Sequence, residues 1–147
     1  MDACKLAEQG VIGQLAHMLE TGLKTLDMYA GQMETGEMDD LTVQFPCIFT
    51  IITKITAETE NRLDFGEMEL QLIIGDRNLR GHESAMHGDG DSPGVYSLMQ
   101  SAYDALHNTK LIHHWLPLQM ISAMPWIYRP TDGLCIWAQT YNIKGNL

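Results

Sequence analysis

A chain of 147 residues, 45% of them apolar and 19% charged, has ordinary globular composition and enough length to bury one core. Nineteen acidic residues against nine basic ones leave a formal charge of −10. That balance disfavours binding to nucleic acid or to an anionic membrane, both of which need clustered Lys and Arg.

No run approaches the roughly 18 to 20 apolar residues that span a bilayer. Residues 1–5 show no basic region leading into an apolar run, so no signal peptide is expected and the product reads as cytoplasmic. Cys4, Cys47 and Cys135 are odd in number and far apart, with no CxxC pair, so they read as small buried thiols. The ten methionines are dispersed and read as core filler. With no repeat and no Pro/Ser-rich linker, residues 1–147 are expected to form one domain.

The first element reads as a helix, with Val11, Leu15, Leu19 and Leu23 recurring every fourth residue and Ile12 and Met18 widening the stripe. Gly10, Gly13 and Gly22 each weaken it by about 1 kcal/mol relative to Ala, so it depends on tertiary packing. Residues 25–40 show mixed polarity and little period and read as an excursion or loop. A long strand follows, in which Val43, Phe45, Cys47, Phe49, Ile51 and Ile55 alternate with polar residues. Ile48 and Ile52 break the polar side, which predicts a strand covered on both faces in its middle. Pro46 donates no ladder hydrogen bond, so regular pairing is expected to begin after it or at an edge.

A turn around residues 61–66 leads to a second strand, where Met68, Leu70, Leu72 and Ile74 alternate with Glu67, Glu69 and Gln71. Residues 76–94 are charged, glycine-rich and without period, which predicts a long loop, poorly ordered or extended. A second helix opens with Ser92 as cap and Pro93 in the first turn, carrying a stripe of Leu98, Ala102 and Leu106. Leu118, Met120, Met124, Trp126 and Tyr128 alternate as a further strand, residues 129–133 signal a turn, and a return strand covers residues 134–143. The expected fold is α+β: an antiparallel sheet of about four strands, in the order helix, hairpin, helix, hairpin, with two main helices on one face.

The residues supply no convincing active site. His82 and Glu83 with His87, Asp89 and Asp91 suggest a zinc hydrolase, but the second histidine falls one position beyond the helical spacing such a site needs, and the surrounding glycines oppose a helix. The spacing and closing Glu of a calcium loop are missing. His113 and His114 read as strand neighbours pointing to opposite faces. Phosphate-binding glycine signatures and a nucleophile elbow are missing. Pairs such as Asp39 with Asp40 read as surface charge. No metal and no cofactor are expected. A metal-dependent hydrolase using residues 82–91 is the rival from another class.

Four stretches, spread in order over nearly the whole chain, resemble the tail-terminator (tail completion) family of Mu-like prophages. They are Asp40-Leu41-Thr42-Val43-Gln44-Phe45-Pro46, Gly75-Asp76-Arg77-Asn78-Leu79-Arg80-Gly81, Gly94-Val95-Tyr96-Ser97-Leu98-Met99, and the terminal strand over residues 134–143. The resemblance implies a non-enzymatic protein that caps the tail tube, stops its polymerisation and meets the head-completion proteins. It further implies a closed ring, often hexameric, that forms from monomers on assembly and surrounds passing DNA without binding it specifically. Its place would be the host cytoplasm and then the virion tail. Another neck or baseplate adaptor is the alternative within this class. In such a ring Glu67 and Glu69, with Asp64 in the preceding turn, are candidates for a negative lumen wall. Arg77 and Arg80 are candidate partner-facing residues.

Overall fold

The computed structural model describes residues 2–31, 43–60, 63–78, 81–89, 93–129 and 133–146. Helix α1 (Asp2–Leu15) buries Ala7, Val11 and Leu15 and then tightens into a 3-10 helix (Ala16–Glu20). The change to three residues per turn rotates the buried stripe. Met18 and Leu23 enter the core, and Leu19, expected there, is left exposed.

Residues expected to form only a loop supply a short strand, β1 (Thr25–Met28). It pairs in parallel with β2 (Cys47–Glu60), with Thr25 opposite Cys47 and Met28 opposite Thr50. β2 turns back into β3 (Leu63–Arg77), and β4 (Gln119–Arg129) turns back into β5 (Leu134–Asn146). β5 inserts beside β3, so the sheet order is β1-β2-β3-β5-β4. The two expected hairpins are present. The sheet has five strands rather than four and is mixed rather than purely antiparallel.

The expected loop over residues 76–94 is likewise shorter than its composition suggested. β3 runs on to Arg77, and a six-residue helix, α2 (His82–His87), follows despite the flanking glycines. Helix α3 (Val95–Leu106) buries Val95, Leu98, Ala102 and Leu106. Its N-cap is Gly94, and Ser92, expected there, lies outside the described residues.

The main core lies between α1, α3 and one face of the sheet. Ile48, Met68, Leu70, Leu72, Ile74, Tyr141 and Ile143 contribute from the strands. A smaller apolar cluster of Cys47, Phe49, Ile73, Leu134 and Ile136 occupies the opposite face. The middle of β2 is therefore covered on both sides, as Ile48 and Ile52 implied. A bulge between Ile52 and Lys54 then inverts the alternation, so Ile55 packs with the helix-side core rather than with Cys47 and Phe49. Pro46 stands just outside the strand, where its carbonyl accepts hydrogen bonds from the Lys24 and Thr25 N–H groups.

Both strand cysteines are buried free thiols. Burial pushes the Cys47 thiol up to about 12 and moves the Cys135 thiol in the same direction. A neutral thiol is a poor nucleophile. An alkylating reagent at neutral pH is therefore expected to label Cys4 alone in the folded chain and all three cysteines after denaturation, as read by mass spectrometry. The folded Cys47 value lies above the unfolded one, so its contribution to stability is complete below about pH 9. It should fall as pH rises toward about 12, where the unfolded thiol ionises first.

Candidate functional site

At one end of the sheet, the end of β3 meets Asp89 after α2, Gly94 before α3 and Gly133 before β5 in a polar knot. Asp76, almost fully buried, accepts a hydrogen bond from the Gly94 N–H at 3.2 Å and one from the Arg77 N–H at 2.8 Å. Asn78 donates from Nδ2 to Asp89 at 2.7 Å, and its own N–H reaches the Gly133 carbonyl at 2.9 Å. Gly133 has φ +65°, and a Cβ there would overlap the Asn78 carbonyl oxygen. Asp76 and Asn78, both buried, are thus the fastening between the two hairpins and the start of α3. The strand pattern stopped short of Asp76, so sequence reasoning missed this role. The available signal was an Asp and an Asn at the end of an apolar strand, with glycines at the positions they bond.

The face of the sheet away from the helices grades along the strands. Its apolar end carries the Cys47, Phe49 and Ile136 cluster. Gln71 and Thr140, side by side in register, form the middle. Beyond them Glu69 lies opposite Lys54 and Asn142, and Glu67 lies opposite Thr56 and Lys144. Asn142 donates from Nδ2 to Glu67 at 2.7 Å. The expected acidic strip therefore has a lysine on a neighbouring strand beside each glutamate, so it is a band of mixed charge rather than a negative wall. Asp64 belongs to β3 itself and not to the preceding turn, and its side chain lies outside the described residues.

Arg77 is on the same strand ten positions from Glu67, a distance of about 34 Å at the rise of an extended chain, so the two cannot act at one site. Its Nε is buried with no hydrogen-bond partner among the described residues. Arg80 lies outside the described residues, as do Asp39, Asp40 and Asp91.

The histidines are arranged differently from the expectation. His113 and His114 occupy a turn rather than a strand, with His114 at φ 69°, and their exposed rings sit 3.8 Å apart between centroids. The His87 ring lies 5.4 Å from that of Tyr96, while the His82 side chain is outside the described set. Among the described residues no group of three or more His, Cys, Asp or Glu side chains is placed to hold a metal ion, and no helix is long and apolar enough to cross a membrane.

A cleft of about 310 Å³ opens between α3 and β4, lined by Tyr96, Met99, Gln100, Tyr103, Met120, Ala123 and Gln139. In its lining Gln139 accepts a hydrogen bond from the buried Tyr141 hydroxyl at 2.9 Å and donates to the Met99 carbonyl at 3.2 Å. Burial holds the Tyr141 phenol above its ordinary value, so it stays neutral and serves as a structural donor. On the other side of β4, Trp126 packs edge to face against Tyr29, which packs in turn against Phe49. This aromatic series links β4 to the residue that follows β1, at the opposite end of the strand order.

The sequence matches the family model described as "Bacteriophage Mu, Gp37" over residues 5–145. Among solved structures the chain is similar to one from the "Virion of native gene transfer agent (GTA) particle", with 10% identity and a TM-score of 0.58 over 95% of this chain and 94% of that one. At that identity the likeness is one of fold. No curated protein matches the sequence.

The polar knot predicts two stability effects. Asp76→Asn turns one acceptor into a donor facing backbone N–H groups and should cost about 2 to 3 kcal/mol. Gly133→Ala should cost at least about 2 kcal/mol through its positive φ and the overlap with Asn78. Urea melts should show both losses. Glu83→Ala, on the exposed side of α2, should stay within about 0.5 kcal/mol of the unsubstituted chain.

Proposed function

The chain belongs to the Bacteriophage Mu Gp37 family, and from that premise we propose that it is a structural tail-assembly protein of a phage or prophage. In this reading it caps the finished tail tube, ends tube polymerisation and offers a surface to the head-completion proteins. The family match along nearly the whole chain is the observation that carries the reading. The fold it shares with a chain of a gene transfer agent virion supports it.

The architecture suits the task. A cap must bind the last ring of a tube with one surface and present a different surface outward, or the tube would continue to grow. This sheet has helices on one side and a graded apolar-to-charged band on the other, so its two sides are chemically distinct. We further propose that copies form a closed ring, six in number, assembled from soluble monomers in the host cytoplasm and carried into the virion tail. The ring would have no enzymatic activity and no specific affinity for DNA. A net charge of −10 keeps phosphates from adhering as the genome passes.

Removing the gene from its phage or prophage should give tails of uncontrolled length that lack heads, seen by electron microscopy of lysates. Headless tails of normal length would instead indicate another neck or baseplate role. The band around Glu67 and Glu69 is the proposed lumen wall. Glu67→Lys with Glu69→Lys sets lysines beside Lys54 and Lys144, at a folding cost of about 1 kcal/mol, since like charges directly opposite repel. The expected result is normal tail length with infectivity reduced by slowed DNA passage. Unchanged infectivity would remove the band from the lumen, and loss of length control would move it to the tube-facing side.

A further inference from the structure

The turn that carries His113 and His114 departs from what their place in the sequence implied. As strand neighbours the two rings would face opposite ways and could not share an ion. In the structure they are the two central residues of a turn closed by the Trp115 N–H on the Ile112 carbonyl at 3.1 Å, and both are exposed. Their rings lie side by side, 3.8 Å apart between centroids and inclined at 49°. His114 has φ 69°, in the left-handed region that turns usually give to Gly or Asn. Backbone outliers of this kind gather at functional sites.

The pair is held in place from below. Ile112 and Trp115, on either side of it, are buried. The Trp115 ring lies against Gly145, where a Cβ would overlap it. The Leu116 N–H donates to the Lys144 carbonyl at 2.9 Å, and the Leu118 N–H donates to the Thr109 carbonyl at 3.0 Å. The backbone ordering that brings two imidazoles together is therefore complete on folding, before any ligand arrives.

Imidazole chemistry selects what such a pair binds. Each ring has two nitrogens, and either can ligate. Two nitrogens on one ion stand roughly 3 Å apart at metal–nitrogen distances of about 2.0 Å, within reach of rings at this separation through small side-chain rotations. Imidazole suits zinc, copper and nickel, whereas magnesium and calcium need oxygen ligands. The net charge of −10 raises the local concentration of cations. We propose that His113 and His114 form a two-histidine chelate for a divalent transition-metal ion of the copper, nickel and zinc class. No third His, Cys, Asp or Glu among the described residues completes the set, so the remaining positions on the ion fall to water or to a donor atom of another molecule.

Calorimetric titration of the full chain with nickel chloride, at slightly alkaline pH so that imidazole is free to ligate, tests this. The expected result is a single nickel ion per chain, tighter binding of copper(II), and no binding of magnesium. His113→Ala and His114→Gly should each weaken nickel binding at least about tenfold, the low end of what even an outer-shell change costs a metal site. Glycine is at ease at positive φ, so the His114→Gly chain should fold at least as stably as the unsubstituted one. His17→Ala, in the 3-10 helix, should leave binding unchanged. In the unsubstituted chain, copper(II) should broaden the ring-proton resonances of His113 and His114 before those of the other four histidines. That measurement decides the matter even if His113→Ala misfolds. A folded chain that takes up no nickel overturns the proposal. So does binding that survives either substitution in the turn, binding lost with His17, or broadening that begins at another histidine.

Discussion

β3 is hydrogen-bonded to β2 on one side and β5 on the other along almost its entire length, and the rest of the molecule is arranged around what its two faces require. Met68, Leu70, Leu72 and Ile74 are fully buried beneath α1 and α3. Burying side chains of this size stabilises by about 1.5 to 3 kcal/mol each, so one strand supplies a large part of the core. Its other face changes from apolar to charged along the same axis. A helix could lie across only part of such a face without burying unpaired charge, which accounts for the placement of the described helices on the opposite side.

The same strand ends in the polar knot, and there order passes from sheet to helix. Asp76 brings a carboxylate to the first turn of α3, where unpaired N–H groups gather and the helix dipole favours negative charge. A buried acid in this position is stabilised by what it bonds. It also ties the Gly94 backbone to the end of β3. The hydrogen bonds of the knot fasten β3 to Gly94 and Gly133.

Much of this was legible in the amino-acid sequence, and the departures have identifiable causes. The alternation in β3 and the stripe of α3 were unambiguous because each is a long run with one buried side. β1 was hidden because it is four residues long and its burial is only partial, leaving no period to detect. Ile55 and Leu19 fell on the wrong sides because a bulge and a 3-10 turn each shift the phase of a regular pattern by about one residue. α2 was obscured by glycines that flank it and do not interrupt it. As for the site, the alternation with Met68 and Leu70 places Glu67 and Glu69 on the sheet face opposite the main core, where both are half-buried. Their lysine neighbours are more than ten positions away in the chain, and only the strand register reveals them.

The insertion of β5 between β3 and β4 also bears on how the chain reaches this shape. Each hairpin closes on itself across a short connection and can form early and alone. The seam between β3 and β5 joins residues widely separated along the polypeptide, so its loop-closure entropy must be met before its contacts contribute. Docking of one preformed hairpin on the other is then the natural late step of folding. Until it is complete, the long inner edges of β3 and β5 are bare, and β5 carries Ile136, Trp137, Thr140, Tyr141 and Ile143, side chains that favour strands. At high concentration, that interval is when the chain is most open to pairing with the wrong neighbour.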